Sequence, residues 1–299
     1  RIPTHLGGTA ALETYCVRRH RGHARWSSDI GCGAVRITSG PWHDWAMRWN
    51  RALVTGASSG IGRAIARQLA ADGTRLVVVA RDRARLEALA DEVGVDCEVL
   101  VADLSDRNAL AAVEARLRDD SPIDLVVNNA GFGQTGPLHE LDAERETAVI
   151  NVNVIALHRL SQVAAEVMVQ RGGGGGILNV SSVAAFAPGP NGATYAATKA
   201  FVSSLSEALH AELIEHHVHV TALCPGFTRT EFQDRADFDA SKVPDLLWQS
   251  ADDVAAAGLR GIDQNRAVVV PGGLNKVGAG LLNALPGPAR RFLVPRVLS

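Results

Sequence analysis

The sequence predicts an α/β protein with a doubly wound, seven-stranded parallel sheet and helices on both faces. Three observations predict it. From Asn50 onward, short aliphatic runs alternate with amphipathic stretches of helical length. Hydrophobic residues make up 46% of the chain and aromatics only 5%, so Val, Leu and Ala must fill the core, as in strands covered on both faces. A glycine-rich turn also follows the first run directly, as at the junction of a strand with a crossover helix.

The strand candidates are Ala52–Val54, Leu76–Val79, Cys97–Val101, Ile123–Val127, Ile177–Val180, Val218–Leu223 and Ala267–Val270. Each is short and rich in Val, Leu or Ile, which predicts buried strands. A first helix is read over Arg63–Ala71. In Asp82–Val93, with Asp82 as N-cap, residues Leu86, Leu89, Ala90 and Val93 share one face; in Asp106–Arg118, Leu110, Val113 and Leu117 do so. Two longer helices are read around Val149–Gln170 and Tyr195–His216. The tract Gly172–Gly176 reads as a tolerant surface loop. With no repeat or linker inside residues 47–271, these form one domain, and residues 47–299 are assigned to it. From about residue 272, Leu281, Leu282, Leu285, Phe292 and Leu293 mark an apolar tail that folds back over the domain or a neighbouring subunit.

The first 46 residues differ in kind. They hold three of the five Trp and four of the ten His, with no helical or strand period. Arg18 and Arg19 are followed by no apolar run of signal-peptide length. The segment is expected to be a poorly ordered leader, with Met47 as the natural start. A net charge of −2 gives no electrostatic reason to expect nucleic acid, and no apolar stretch is read as long enough for a transmembrane segment. Cys16, Cys32, Cys97 and Cys224 lack metal-ligand spacing, which predicts no metal and reduced thiols in a cytoplasmic protein. His216, His217 and His219 read as a solvated helix end rather than a metal site.

The turn Thr55–Gly62 carries the first chemistry. Gly56 allows a sharp bend, Gly60 leaves room for a pyrophosphate, and Gly62 lets the helix approach the sheet. Ser58, Ser59 and Ile61 complete a cradle whose N–H groups face the phosphates. This is the Rossmann-type strand–turn–helix. At the end of the second strand an acidic residue would hold the ribose 2′-OH of NAD. Ala80 and Arg81 stand there instead, and the Arg81 guanidinium suits a 2′-phosphate. Arg63 could add to that positive patch. NADP(H), with NADPH over NADH, is therefore the favoured cofactor. Asp103, just past the third strand, is placed to touch the adenine.

Tyr195 and Lys199 lie four apart at the start of an Ala/Ser-rich helix, so they share a face. A phenol with a pKa of about 10 is a poor proton shuttle at neutral pH, and a neighbouring ammonium is expected to bring it down. Ser182, at the end of the fifth strand, points where open α/β sheets bind ligands.

These residues resemble the short-chain dehydrogenase/reductase family over about residues 49–271. The resemblance rests on the glycine turn, on Asn128-Asn129-Ala130-Gly131, on the Ser182, Tyr195 and Lys199 spacing, and on Pro225–Thr230 after the sixth strand. It implies Tyr195 as general acid, Lys199 as its electrostatic partner and Ser182 as donor to the substrate oxygen. By the same resemblance Asn153, preferred over Asn151, anchors a water in a proton relay. Asn128 steadies the central strands, and Asn129, Pro225, Gly226 and Thr228 join the cofactor site. It also implies a homodimer or homotetramer built on the two long helices.

Phe132, Gln134, Ala184, Phe186, Pro188, Asn191, Phe227, Phe232 and Trp248 are the candidate pocket wall, with residues 227–249 as a lid. Being mostly apolar, they predict reduction of an apolar ketone or aldehyde to its alcohol. The alternative is a non-catalytic dinucleotide-binding sensor or scaffold on the same fold, which loss of Ser182, Tyr195 or Lys199 would have marked. All three are present.

Overall fold

The computed structural model describes residues 49–236, 238–239 and 243–284. The leader expectation and the tail beyond residue 284 lie outside the described residues.

Seven strands form one parallel sheet: β1 (Arg51–Thr55), β2 (Arg75–Ala80), β3 (Cys97–Val101), β4 (Leu125–Asn128), β5 (Gly175–Val180), β6 (Val218–Leu223) and β7 (Val268–Val269). Their order is β3-β2-β1-β4-β5-β6-β7, so successive strands are added outward in one direction from β1 and in the other from β4. That switch point opens a crevice at the carboxyl ends of the strands, where ligands of such sheets bind.

Helices α1 (Gly60–Ala71), α2 (Arg83–Val93) and α3 (Arg107–Leu117) cross between the first strands. Asp82 and Asp106 cap α2 and α3 by accepting from Arg85 N and Ala109 N. Then α4 (Ala143–Ile150) runs through a π-helical segment, Asn151–Ala156, into α5 (Leu157–Arg171). The second half of the chain adds α6 (Ala193–Leu213), the short α7 (Phe232–Arg235), α8 (Ala251–Asp263) and α9 (Gly273–Ala284).

Alternate strand residues feed two cores. Ala52, Val54, Val78 and Val127 pack with Ile65, Leu69, Leu89 and Ile262 of α1, α2 and α8. Leu53, Val77, Val126 and Ile177 pack with Val113, Leu160, Val163 and Met168 of α3 and α5. Period-two alternation thus gives each sheet face its own apolar layer.

Three readings need correction. The strand β3 is an edge: Val101 is 37% exposed, and Glu98 turns outward to pair with Arg116 at 2.9 Å, a charge that blunts further pairing. The glycine tract is not all tolerant loop. Gly175 and Gly176 are buried in β5, where a Cβ would stand 2.5 Å from Met168 Sδ or 2.6 Å from Trp49 Cη2. Finally, Ala143–Arg171 is one continuous helix of 29 residues, long and apolar enough by composition to span a bilayer. Here Leu157, Leu160, Val163, Ala164 and Met168 spend its apolar face on the sheet.

Candidate active site

The glycine turn is shaped by its neighbours. Asn129 donates from Nδ2 to Thr55 O (2.9 Å) and Gly56 O (3.3 Å), and its N–H bonds Thr55 Oγ1 at 3.0 Å. These bonds tie the end of β4 to the end of β1. Gly56 has φ +65 and Gly60 φ +55, the left-handed region that favours glycine. A Cβ on Gly62 would come within 2.5 Å of Gly56 O, so α1 presses directly on the turn. Ser59 is the N-cap of α1 yet makes no side-chain cap bond, and no acidic residue stands in the first turn. The N–H groups of Gly60, Ile61 and Gly62 therefore have no intrahelical acceptor, and with Ser58 alongside they fit a pyrophosphate.

At the carboxyl end of β2, Arg81 is exposed, with Nη1 3.8 Å from Asp103 Oδ2. Burial works against the Asp103 charge, but the Ser105 hydroxyl and N–H and Arg81 hold its carboxyl below the ordinary range. Asp103 is thereby occupied in shaping its own loop. Arg63 is committed elsewhere, to Glu92 at 2.6 Å. Thr230 lies over the turn, its Cγ2 3.1 Å from where a Cβ on Gly60 would stand, and Arg85 Nη1 donates to both oxygens of Glu231 (2.8 and 2.7 Å). Thr230 entered the sequence reading only as the last residue of the Pro225–Thr230 motif, and Glu231 was not singled out.

Ser182, Tyr195, Lys199 and Asn153 come together at the carboxyl end of β5. Lys199 is 4% exposed; its Nζ donates to Val180 O at 2.9 Å and lies 5.6 Å from the Tyr195 ring centroid. Asn153, brought inward by the π segment, donates to Phe132 O (2.9 Å) and Thr198 Oγ1 (3.1 Å) and accepts from Phe132 N. Such segments recur at functional sites. Beneath, Asn128 Nδ2 bonds Ser161 Oγ and Asn179 Oδ1, joining β4 to α5 and β5.

The electrostatics depart from the sequence reading. Burial pushes the Tyr195 phenol up to about 12, only partly opposed by its hydrogen bond with Ser182. Burial likewise pulls Lys199 down to about 8. Desolvation, not the ammonium, dominates the phenol. At neutral pH the pair holds a protonated phenol and a largely protonated amine.

In the segment after β6, Phe232 meets the Tyr195 ring at 5.4 Å, and Phe227 packs with Phe238 and Trp248, each at 5.7 Å. Gln134 does not belong to this wall. It is buried, with Nε2 donating to Glu146 Oε1 at 2.7 Å. The loop after β6 is held by Thr228 Oγ1 on Gly226 O (3.1 Å) and by Val183 N on Pro225 O (2.9 Å). Asn275 of α9 closes on Gly226 from behind and bonds Gln249 Oε1 at 3.0 Å. The segment from about residue 272 was expected to fold back over the domain or a neighbouring subunit, but Asn275 itself was not singled out.

A sheet with its switch point at a glycine cradle, and a Ser-Tyr-Lys cluster beside it, defines a dinucleotide-dependent oxidoreductase. Residues 50–240 match the family model for short chain dehydrogenases. The L-xylulose reductase of Bos taurus is 36% identical over 205 residues, 68% of this chain and 82% of that one. A short-chain dehydrogenase from Sphingobium yanoikuyae, solved in complex with NADPH, superposes with a TM-score of 0.71 at 41% identity, covering 79% of this chain and 96% of that one. The bulky-bulky ketone specific alcohol dehydrogenase from Comamonas testosteroni does so at 0.67 and 35% identity, covering 80% and 96%. The chain belongs to the short-chain dehydrogenase/reductase family and is an NAD(P)-dependent oxidoreductase.

Proposed function

We propose that the protein is an NADPH-dependent reductase of apolar ketones and aldehydes. The observation that carries this reading is the aromatic wall of Phe227, Phe232, Phe238 and Trp248 set against a Tyr195 hydroxyl that stays protonated at neutral pH. When bound, NADPH supplies the hydride for the carbonyl carbon. Tyr195 donates its proton to the carbonyl oxygen as that oxygen gains charge, and Ser182 holds the same oxygen by a second hydrogen bond. Lys199, charged and anchored on Val180 O, stabilises the phenolate left behind. Asn153 holds the water that returns a proton to Tyr195.

Gly56, Ser58, Ser59, Gly60, Ile61 and Gly62 are assigned to the pyrophosphate, with Asn129 bracing the turn. Arg81 is assigned to the 2′-phosphate and Asp103 to the adenine edge. Pro225, Gly226 and Thr228 are assigned to the nicotinamide end. The neighbour solved with NADPH supports this preference, and the ketone-specific neighbour supports the substrate class. Ile155 and Phe201 are 46% and 38% exposed, and the Phe201 ring lies 6.4 Å from that of His158. An apolar patch on the two long helices supports a homodimer or homotetramer. Reduced thiols at Cys97 and Cys224 fit a cytoplasmic enzyme, with residues 47–299 as the catalytic domain behind the leader.

The test is a parallel titration with NADPH and NADH, followed by turnover of an aryl alkyl ketone such as propiophenone. Tighter NADPH binding and NADPH-dependent reduction are expected. Preference for NADH, or binding with no turnover of any apolar carbonyl, would overturn the reading.

A further inference from the structure

Between β4 and α4 the chain crosses the floor of the cluster as Gly131-Phe132-Gly133-Gln134. Alternate residues of this strap do different work. A Cβ on Gly131 would stand 3.0 Å from Asn153 Oδ1 and 3.3 Å from Lys199 Nζ, and one on Gly133 would stand 2.9 Å from Tyr195 Cδ2. The two glycines therefore form a flat surface on which Lys199 and the Tyr195 ring rest. The intervening and flanking residues pin the strap. Phe132 is held through both backbone groups by Asn153, and Gly136 N bonds Asn191 O at 2.9 Å. Between those pins stands Gln134, and its partner is the carboxylate of Glu146 on α4.

That pair is unusual in its surroundings. Gln134 and Glu146 are 9% and 8% exposed; among the described residues no cation bonds the Glu146 carboxyl group, and its Oε2 has no hydrogen-bond partner. A buried carboxylate with one donor is expensive to keep where stability is the only requirement.

We propose that Gln134 and Glu146 are a positioning pair, holding Gly133 against the Tyr195 ring so that the phenol stays desolvated and aimed at the substrate oxygen. The pair acts through the strap and touches no reacting atom. The inference rests on the reductase reading for its consequence, but not for its test. The chain has two tyrosines, Tyr15 and Tyr195, so phenol reactivity can be followed residue by residue.

The experiment is nitration of the full chain with tetranitromethane near pH 8, resolved by peptide mass spectrometry, on wild type, Glu146→Leu, Glu146→Gln and Gln134→Ala. The reagent attacks phenolate, so loosening the strap lets water reach Tyr195 and lowers its pKa. Each unit of that fall raises nitration about tenfold. Glu146→Leu and Gln134→Ala are expected to nitrate Tyr195 about tenfold faster, and Glu146→Gln, which keeps an oxygen for Gln134, at the wild-type rate. Gln134→Ala, on a loop, supplies the answer if the helix substitution does not fold. Wild-type nitration in folded Gln134→Ala overturns the proposal, as does a Glu146→Gln protein as reactive as Glu146→Leu. Accelerated nitration in a protein that reduces no carbonyl would leave the positioning pair standing and remove only the reductase reading.

Discussion

Replacing Lys199 by Met should abolish activity and stabilise the cofactor-free protein at pH 7. Lys199 is buried, and that burial lowers its pKa from 10.5 to about 8. At about 1.4 kcal/mol per unit, holding the ammonium inside costs the fold about 3 kcal/mol below pH 8. Met fills a similar volume without the charge. It forfeits the bond from Nζ to Val180 O, a loss of about 1–2 kcal/mol because a buried carbonyl is left short of a donor. The balance is a gain of about 1–2 kcal/mol, or several degrees in Tm for a domain of this size. The sign with pH is a sharper test. Between pH 8 and 10.5 the unfolded chain holds the Lys199 proton and the folded one sheds it, so wild-type stability rises through that window. The advantage of Lys199→Met must then shrink across the same window and reverse near its top, where only the lost hydrogen bond remains. Tyr195 titrates in both proteins and cancels from the difference. Thermal unfolding of both, at pH 7 and at steps up to 10.5, measures it. A variant less stable than wild type at pH 7, or a gap that does not change with pH, would refute the reasoning.

Three further outcomes are expected. Tyr195→Phe should lower kcat by about 10²–10⁴ while NADPH affinity, measured by nucleotide fluorescence, stays close to wild type. Arg81→Ala should weaken NADPH about tenfold, near 1.4 kcal/mol, and leave NADH unchanged; equal effects on both would remove the 2′-phosphate assignment. Gly175→Ala places a methyl 2.5 Å from Met168 Sδ and should cost about 1–3 kcal/mol by overpacking, read as a lower urea midpoint.

The strands, the helix faces and the glycine cradle were legible because each follows from short-range rules, whereas the order of the strands came only from the fold. Aliphatic runs of strand length, an apolar stripe such as Leu86 and Leu89, and Asp caps at residues 82 and 106 are local signals that need no knowledge of what lies opposite. The Tyr195/Lys199 pair was legible for the same reason, since four residues on a helix put two side chains on one face. The glycine tract was misread because Gly175 and Gly176 owe their identity to Met168 and Trp49, which reach them only once α5 and the start of β1 are in place.

The sequence by itself thus determined the class of fold, the members of the Ser182, Tyr195 and Lys199 cluster and the glycine turn that opens α1. Only the tertiary structure decided how that cluster is tuned. Whether an ammonium or desolvation governs a phenol depends on how much water remains around both. That is settled by the packing of α6 on β6 and the strap against Tyr195, not by a spacing of four. Gln134 shows the same division: its neighbours in the chain place it beside the pocket, and the buried carboxylate of Glu146, twelve residues away, turns it inward.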